Sequence, residues 1–268
     1  MRKLIILIII LLFSANFLFS ERYEPAIGKS GSVIDSGNIR FLFGWAYNDL
    51  TVENSKFNFG IDFGLGQTTE LQNRIDYNSA NWASYEWGEW TELLKFRLSE
   101  IDAGPAYSLG LGIRIPVRKA ESLGLIAGLY ISSAIKDIDF DFNIGFNPYI
   151  TYGDQGKDPL TDETIKIRPN HFVNIDLLLG YKLLPFLKVD GGFESRQLLK
   201  GSMKVGDVKT DIDGGSVWTF ILGARLKPID YPVLFDGTFS FGAGDQKEYD
   251  WQFKLGIQIL PTSPDAEW

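Results

Sequence analysis

The sequence predicts an all-β protein, a transmembrane antiparallel up-and-down β-barrel of about 12 strands. Three observations predict it. Apolar residues recur at every second position through most of the 268 residues, with polar or charged residues between them. A period of two means strand. The alternating blocks match the ~9–11 residues with which a tilted strand crosses a bilayer. An apolar leader with a basic start precedes them all.

The leader comes first. Arg2 and Lys3 form a positive start, Leu4 to Phe13 is an unbroken apolar run, and small residues occur from Ser14 to Ser20. This is the pattern of an export signal over residues 1–20, its run too short for the about 20 residues of a helical span. Residues 21–37 follow as a periplasmic segment or a plug of the lumen, and 38–260 form the barrel. Twelve strands are expected over 38–47, 56–66, 69–77, 90–101, 106–117, 122–133, 138–152, 171–183, 187–196, 217–226, 233–241 and 249–260, with a tail over 261–268. In the second, Phe57, Phe59, Ile61, Phe63 and Leu65 share one face, opposite Asn58 and Asp62. In the last, Tyr249, Trp251, Phe253, Leu255, Ile257 and Ile259 alternate with Asp250, Gln252, Lys254, Gly256 and Gln258.

The connections alternate in length. Those around Thr68, Asp102–Pro105, Ala134–Asp137, Leu184–Phe186 and Pro228–Pro232 are tight. Those over 48–55, 78–89, 153–170, 197–216 and 242–248 are longer, and only Arg118–Glu121 is short where a long loop is due. Short turns belong on the periplasmic side of such a barrel, which places both termini there. In that orientation Trp45, Tyr47, Tyr77, Trp90, Tyr152, Trp218, Tyr249 and Trp251 lie near the outer strand ends as an aromatic girdle, with Tyr107 and Tyr181 near the inner rim.

Charge follows the same parity. The outward face carries only Glu92 and Glu100. The basic residues Arg40, Arg74, Lys95, Arg97, Arg114, Lys182, Lys188, Arg196, Arg225 and Lys254 fall on the inward face. So do the acids Asp62, Glu70, Asp76, Asp139, Asp141, Asp176, Asp190, Glu194, Asp236 and Asp250, and together these residues are the expected lumen lining and solute path. A Lys or Arg facing lipid at the midplane costs roughly 2–4 kcal/mol, which confines charge to the lumen. A soluble sandwich would turn the apolar faces into a shared core. The leader, the girdle and the strand lengths favour the barrel.

Gly60, Gly64, Gly66, Gly110, Gly112, Gly124, Gly128 and Gly145 share the inward parity. Glycine weakens a strand unless bending or space is needed, so these positions curve the wall, keep the lumen open, or both.

Composition excludes much else. There is no cysteine, hence no disulfide framework, thiolate metal site or cysteine nucleophile. The net charge is −8, and loss of Arg2 and Lys3 with the signal makes it more negative. That argues against binding nucleic acid or anionic lipid by charge. His171, the one histidine, opens the eighth strand; no Gly-x-Ser-x-Gly context accompanies it, so no enzyme is expected. Asp137, Asp139 and Asp141 alternate like calcium ligands, but the alternation runs on through Phe142 and Ile144 as a strand with a wet face. Asp207 to Asp213, with interleaved lysines, reads as a solvated outer hairpin. No cofactor or metal is expected. The expected partners are outer-membrane lipids, the barrel-insertion machinery and a small-molecule solute.

Residues 56–150 contain a familiar series. Gly64-Leu65-Gly66-Gln67-Thr68-Thr69-Glu70-Leu71 is followed by Glu89-Trp90-Thr91-Glu92-Leu93-Leu94-Lys95-Phe96. Then come Gly104-Pro105-Ala106-Tyr107-Ser108-Leu109-Gly110-Leu111, Ile115-Pro116-Val117 and Asn143-Ile144-Gly145-Phe146. The series resembles the outer-membrane barrels grouped as transporters with the meta-cleavage pathway of phenol degradation. It departs from them after the fifth strand, where Val117 and Arg118 replace a Thr-Gly after the proline. The resemblance implies an outer-membrane location and passage of small molecules, with no catalytic residue carried over. The carboxyl end departs from a common barrel pattern too, because Pro261 to Glu267 separate the last strand from the aromatic Trp268; the signal for the insertion machinery is either Trp268 or the strand ending at Ile259.

The function expected is passive diffusion of small polar or amphipathic solutes through a polar lumen in the outer membrane. Balanced inward charge implies weak ion selectivity. The alternative is a closed barrel, its lumen filled by paired charges, acting as a surface, adhesion or structural protein.

Overall fold

The computed structural model describes residues 36–49, 55–80, 84–99, 105–228, 231–245 and 249–259. The expected signal, nearly all of the expected plug and the expected tail lie outside the described residues, as does Glu100. Among the described residues there is no helix.

Sixteen strands run in chain order: β1 (Ile39–Asn48), β2 (Ser55–Gly66), β3 (Thr69–Ala80), β4 (Ser84–Arg97), β5 (Ala106–Ile115), β6 (Gly124–Ile135), β7 (Ile138–Asn147), β8 (Gly153–Lys157), β9 (Thr164–Arg168), β10 (Phe172–Leu184), β11 (Leu187–Leu198), β12 (Gly201–Val205), β13 (Val208–Ile212), β14 (Gly215–Leu226), β15 (Val233–Ala243) and β16 (Trp251–Ile259). Twelve of them close a barrel in the order β1-β16-β15-β14-β11-β10-β7-β6-β5-β4-β3-β2, and β13-β12-β9-β8 make a separate four-stranded sheet. Closure pairs β1 with β16, Phe41 opposite Ile259 through Asn48 opposite Gln252. With no free edge, backbone groups at membrane depth are satisfied within the sheet.

Parity sorts the two faces. On β2, Ile61 and Leu65 are exposed on the outside, while Asn58, Gly60, Asp62 and Gly64 are buried on the inside. Exposed outer residues such as Leu111, Phe146, Leu179, Phe220 and Leu222 form the apolar belt. At the long-connection end, rings from neighbouring strands meet: Tyr47 and Trp251 have centroids 5.8 Å apart, and Phe239 stacks on Trp251 at 6.0 Å.

The structure corrects several boundaries. Residues 84–89 were expected in a loop but belong to β4. The β3–β4 ladder continues past a register shift between Ile75 and Tyr77, and Trp87 packs on Tyr77 at 4.8 Å. The strand expected over 138–152 stops at Asn147, where Pro148 offers no amide to the ladder. Tyr152 therefore leaves the girdle; its hydroxyl lies 2.8 Å from Ser202 Oγ at the base of the second sheet. Tyr249 is buried before β16 rather than facing outward.

The two longest connections are not loops. β8 and β9 arise between β7 and β10, β12 and β13 between β11 and β14, and the hairpins join through β9 and β12. The hairpin expected near Asp207 turns at Gly206, whose φ of +57° suits glycine. The short connection Arg118–Glu121 is the seat of this sheet. Asp154 donates its amide to the Lys119 carbonyl at 2.6 Å, and Gln155 Nε2 donates to the Ala120 carbonyl at 2.7 Å. A Cβ on Gly153 would lie 2.0 Å from the Ala120 oxygen, so the approach needs glycine.

Candidate functional site

The candidate site is the inner face of the barrel, built by the inward residue of each alternating pair. Four of its glycines lie under side chains, while Gly66 has open space above it as expected. A Cβ on Gly110 or Gly128 would strike Tyr130 at 2.6 and 2.8 Å, one on Gly60 would strike Arg74 at 2.7 Å, and one on Gly145 would strike Asn174 at 2.4 Å. Large polar side chains thus lie against the wall over glycines of a neighbouring strand or, for Gly128 under Tyr130, of their own strand. The space that these four open is filled by a neighbour.

Ion pairs knit one sector. On β1–β3, Arg40 Nε donates to Asp62 Oδ2 at 2.8 Å and Nη2 to Glu70 Oε1 at 2.9 Å. Arg74 also donates to Asp62, Nη2 to Oδ2 at 2.7 Å, and Gln72 Nε2 donates to Glu70 at 2.7 Å. Asp62 is 0% exposed and Glu70 1%. Such groups are tolerated in the interior only because charge partners and donors satisfy them. Farther round the wall, Arg225 Nε donates to Asp190 Oδ2 at 2.7 Å, Lys188 meets Asp139, and Ser132 donates to Asp141. Lys56, missing from the expected lining, pairs with Asp76. Lys95 lies 5.6 Å from the Tyr130 ring centre.

The long-connection end of the lumen is cationic and aromatic. The Phe172 ring has Arg196 at 4.4 Å and Arg114 at 5.1 Å. Arg114 also donates to Asn147 Oδ1 at 2.9 Å and to the Tyr149 hydroxyl at 3.1 Å. From Asn147 a chain of amides runs inward through Asn174 to Asp176. Glu194 stands 3.6 Å from Arg196.

The sector of β15 and β16 is different. Asp236, Thr238 and Ser240 on β15, and Gln252 and Gln258 on β16, are all buried inward. Both Asp236 carboxylate oxygens, Thr238 Oγ1, Ser240 Oγ, Gln252 Oε1 and Gln258 Nε2 have no hydrogen-bond partner among the described residues. Ladder register places Ser240 opposite Gln252 and Thr238 opposite Lys254, so these groups form one strip along the barrel axis. Each buried polar group left unmet costs about 1–3 kcal/mol. Water or a polar solute would remove this cost.

Most expected lining residues stand where parity put them, with Arg97, Lys182, Asp139 and Asp176 only half-buried. Asp250 does not. It is exposed in the bend before β16, where its amide donates to Asp49 Oδ1 at 3.0 Å, because the strand begins one residue later at Trp251. Counting charges alone missed the neutral polar lining, including Ser108, Asn143, Thr219, Thr238, Ser240 and Gln258. The same parity would have found it. His171 sits at the rim just before β10, and its Nδ1 accepts the Tyr149 amide at 2.9 Å. Burial, and next Arg168, hold its pKa below the usual histidine value.

A closed twelve-stranded antiparallel sheet with an apolar exterior and a charged interior defines a transmembrane β-barrel of the outer-membrane type. The chain is similar in structure to the COG4313 outer membrane channel from Pseudomonas putida F1, with TM-score 0.62 at 8% identity over 85% of this chain and 97% of that one. It is also similar to the NanC porin, with TM-score 0.52 at 8% identity over 82% of this chain and 98% of that one. The KdgM porin gives 0.51 at 10% identity over 82% and 98%. Identities this low speak to the fold alone. No family model matches the sequence, and no curated protein matches it. The barrel fold implied by the motifs in 56–150 is thus present; their association with phenol degradation finds no support.

Proposed function

We propose that the chain is an outer-membrane channel through which small polar solutes diffuse passively, the described strands lying among outer-membrane lipids after export and assembly by the barrel-insertion machinery. The observation that carries this reading is the strip of buried, unpartnered polar atoms on β15 and β16. Such a strip is stable only when wet. It runs with the strands, so hydration there makes a path along the barrel axis. The solute path is accordingly the β15–β16 side of the expected lining, while the ion-paired β1–β3 sector acts as a fixed wall. Paired charge on the inner face supports weak ion selectivity.

The test is planar-bilayer conductance of refolded protein. Small conductance steps are expected, and Thr238→Leu with Ser240→Leu should lower them at least several-fold without loss of folding. Unchanged conductance would move the path to another sector. The dense pairing of Arg40, Asp62, Glu70 and Arg74 favours a second reading, a closed barrel serving a surface or structural role. Folded, inserted protein that never conducts would select it.

A further inference from the structure

The second sheet continues three strands of the wall. Phe172 of β10 lies opposite Leu198 of β11; four residues back along one strand and four on along the other, Arg168 of β9 lies opposite Ser202 of β12. Between the two ladders the His171 carbonyl accepts the Leu199 amide at 2.7 Å. The pairs Leu198–Gly215 and Gly201–Ile212 are likewise three residues apart on both strands. No residue is gained or lost, so the parity of the wall carries through, and each face of the second sheet belongs to a face of the barrel. Phe172, Arg196 and Val217 are buried on the lumen side. Lys166, Arg168, Lys200, Lys204 and Lys209 therefore share the lumen-side face, with Ile165, Ile167, Met203, Val205 and Val208 on the other.

The lumen-side face is a row of cations. Lys204 lies directly opposite both Lys209 and Lys166, so three lysines stand abreast across about 10 Å at ordinary strand spacing. Like charges directly opposite on neighbouring strands destabilise a sheet. The acids of this face do not offset the row. Asp154, opposite Lys166, accepts the Gly156 amide at 2.9 Å; Asp211 lies 3.6 Å from Lys200; Asp213 follows β13 at its wall end. Tyr152 lies among the cations, with Lys204 4.6 Å and Arg168 5.4 Å from its ring centre. Arg168 Nε is buried with no hydrogen-bond partner among the described residues, a donor still to be met. Towards the wall the row leads to Arg196 and Arg114 around the Phe172 ring. This positive track belongs to a chain whose net charge is −8.

An open row of this kind discriminates by valence. A single anion meets one solvated lysine and gains little. A solute with several anionic groups meets successive lysines, and each contact raises the effective concentration for the next. We propose that Lys166, Arg168, Lys204 and Lys209 bind small solutes carrying several carboxylate or phosphate groups and deliver them to Arg196 and Arg114 at the mouth of the lumen. The proposal rests on the channel reading and names its solute class. The paired charges of the wall leave small ions weakly discriminated, so the preference arises at the mouth.

The test uses the full chain refolded in detergent. Tripolyphosphate and propane-1,2,3-tricarboxylate are the probes, orthophosphate and acetate their controls, and titration calorimetry reads binding. The triple variant Lys166→Gln, Lys204→Gln, Lys209→Gln is compared with Lys119→Gln, Lys136→Gln, Lys227→Gln, which removes the same charge outside β9, β12 and β13. Heat-modifiable gel mobility confirms that each variant is folded. Expected is salt-sensitive binding of at least one probe, at least tenfold tighter than its control. The first triple variant should lose at least tenfold and the second less than twofold, and the tighter probe tells phosphate from carboxylate. Equal loss in both variants, a control that binds as tightly as its probe, or no binding at all would overturn the proposal. In planar bilayers the bound probe should also reduce the open-channel current, and do so less in the first variant. Binding without any conductance fails the channel reading and the solute role with it; conductance without binding overturns this proposal alone.

Discussion

Gly191 and Gly192 are neighbours with opposite tolerances. A Cβ on Gly192 would lie 2.2 Å from the Leu177 carbonyl oxygen, whereas one on Gly191 would meet only Leu222 Cδ2 at 3.9 Å. Gly191 borders an apolar groove of 540 Å³ on the barrel's outer surface. Gly192→Ala should therefore cost roughly 1–3 kcal/mol, the usual range for forced overpacking. Gly191→Ala should be near neutral, and urea midpoints of the refolded proteins compare the two. Tyr152 makes a second prediction. The hydrogen bond with Ser202, then the charges of Arg168, Lys204 and Lys209, hold its pKa below the ordinary 10.0. The difference in alkaline absorbance between native protein and Tyr152→Phe should show early ionisation, and Lys204→Gln with Lys209→Gln should move it upward. His171 adds a third. Its folded pKa lies below 6.5, so the folded state disfavours its protonation. Its contribution to stability is complete above pH 6.5 and is lost as pH falls through the lowered folded value. The stability of native protein minus that of His171→Gln should therefore decline as pH falls below about 6.5.

At the scale of elements, alternation makes adjacent residues unlike. On β14, Leu222 faces out and is 62% exposed, while Ile221 faces in and is 3% exposed. An arginine at 222 meets lipid near mid-strand, at a cost of roughly 2–4 kcal/mol, whereas the lumen can hydrate one at 221. Leu222→Arg should therefore impair insertion into liposomes more than Ile221→Arg; the reverse order would invert the faces of β14. The second sheet is separable from the wall. β11 pairs with β14 from Leu187↔Leu226 to Leu198↔Gly215, and β12 and β13 carry that register on only after the wall ladder is complete. Replacing 200–213 by a two-residue turn should leave a folded, heat-modifiable barrel, checked by the gel shift on boiling. The β3–β4 hairpin is different, since its extension continues the wall strands themselves through the Tyr77–Trp87 contact.

The whole molecule joins two unlike walls. Buried ion pairs fasten the sector around Asp62, and the sector around Ser240 holds buried polar atoms with no hydrogen-bond partner among the described residues. Breaking a buried pair by removing one partner is costly, because the other charge stays behind. Arg40→Met should thus destabilise the barrel by about 3–5 kcal/mol, and Arg40→Met with Asp62→Leu and Glu70→Leu should recover part of the loss. Denaturant unfolding in detergent checks both. If the single and triple variants unfold alike, the pairs do not hold this sector.

The sequence by itself determined the barrel. Alternation through residues such as Phe57 to Leu65, and charge confined to one parity from Arg40 to Lys254, leave a closed sheet with lipid outside as the stable arrangement, because a period of two assigns each side chain to a face. The same parity held the neutral lining at Thr238, Ser240 and Gln258 for anyone counting polar atoms as well as charges. Only the tertiary structure decided the rest. Parity names a face but not a neighbour, and neighbours come from register across strands far apart in the chain. Register put Arg40 on Asp62 and Glu70, left Asp236 and Ser240 without a hydrogen-bond partner among the described residues, filled the glycine gaps with Tyr130 and Arg74, and set Asp250 on the rim. It also joined residues 164–168 to 202–205, so that two connections read as loops became one sheet with three lysines abreast.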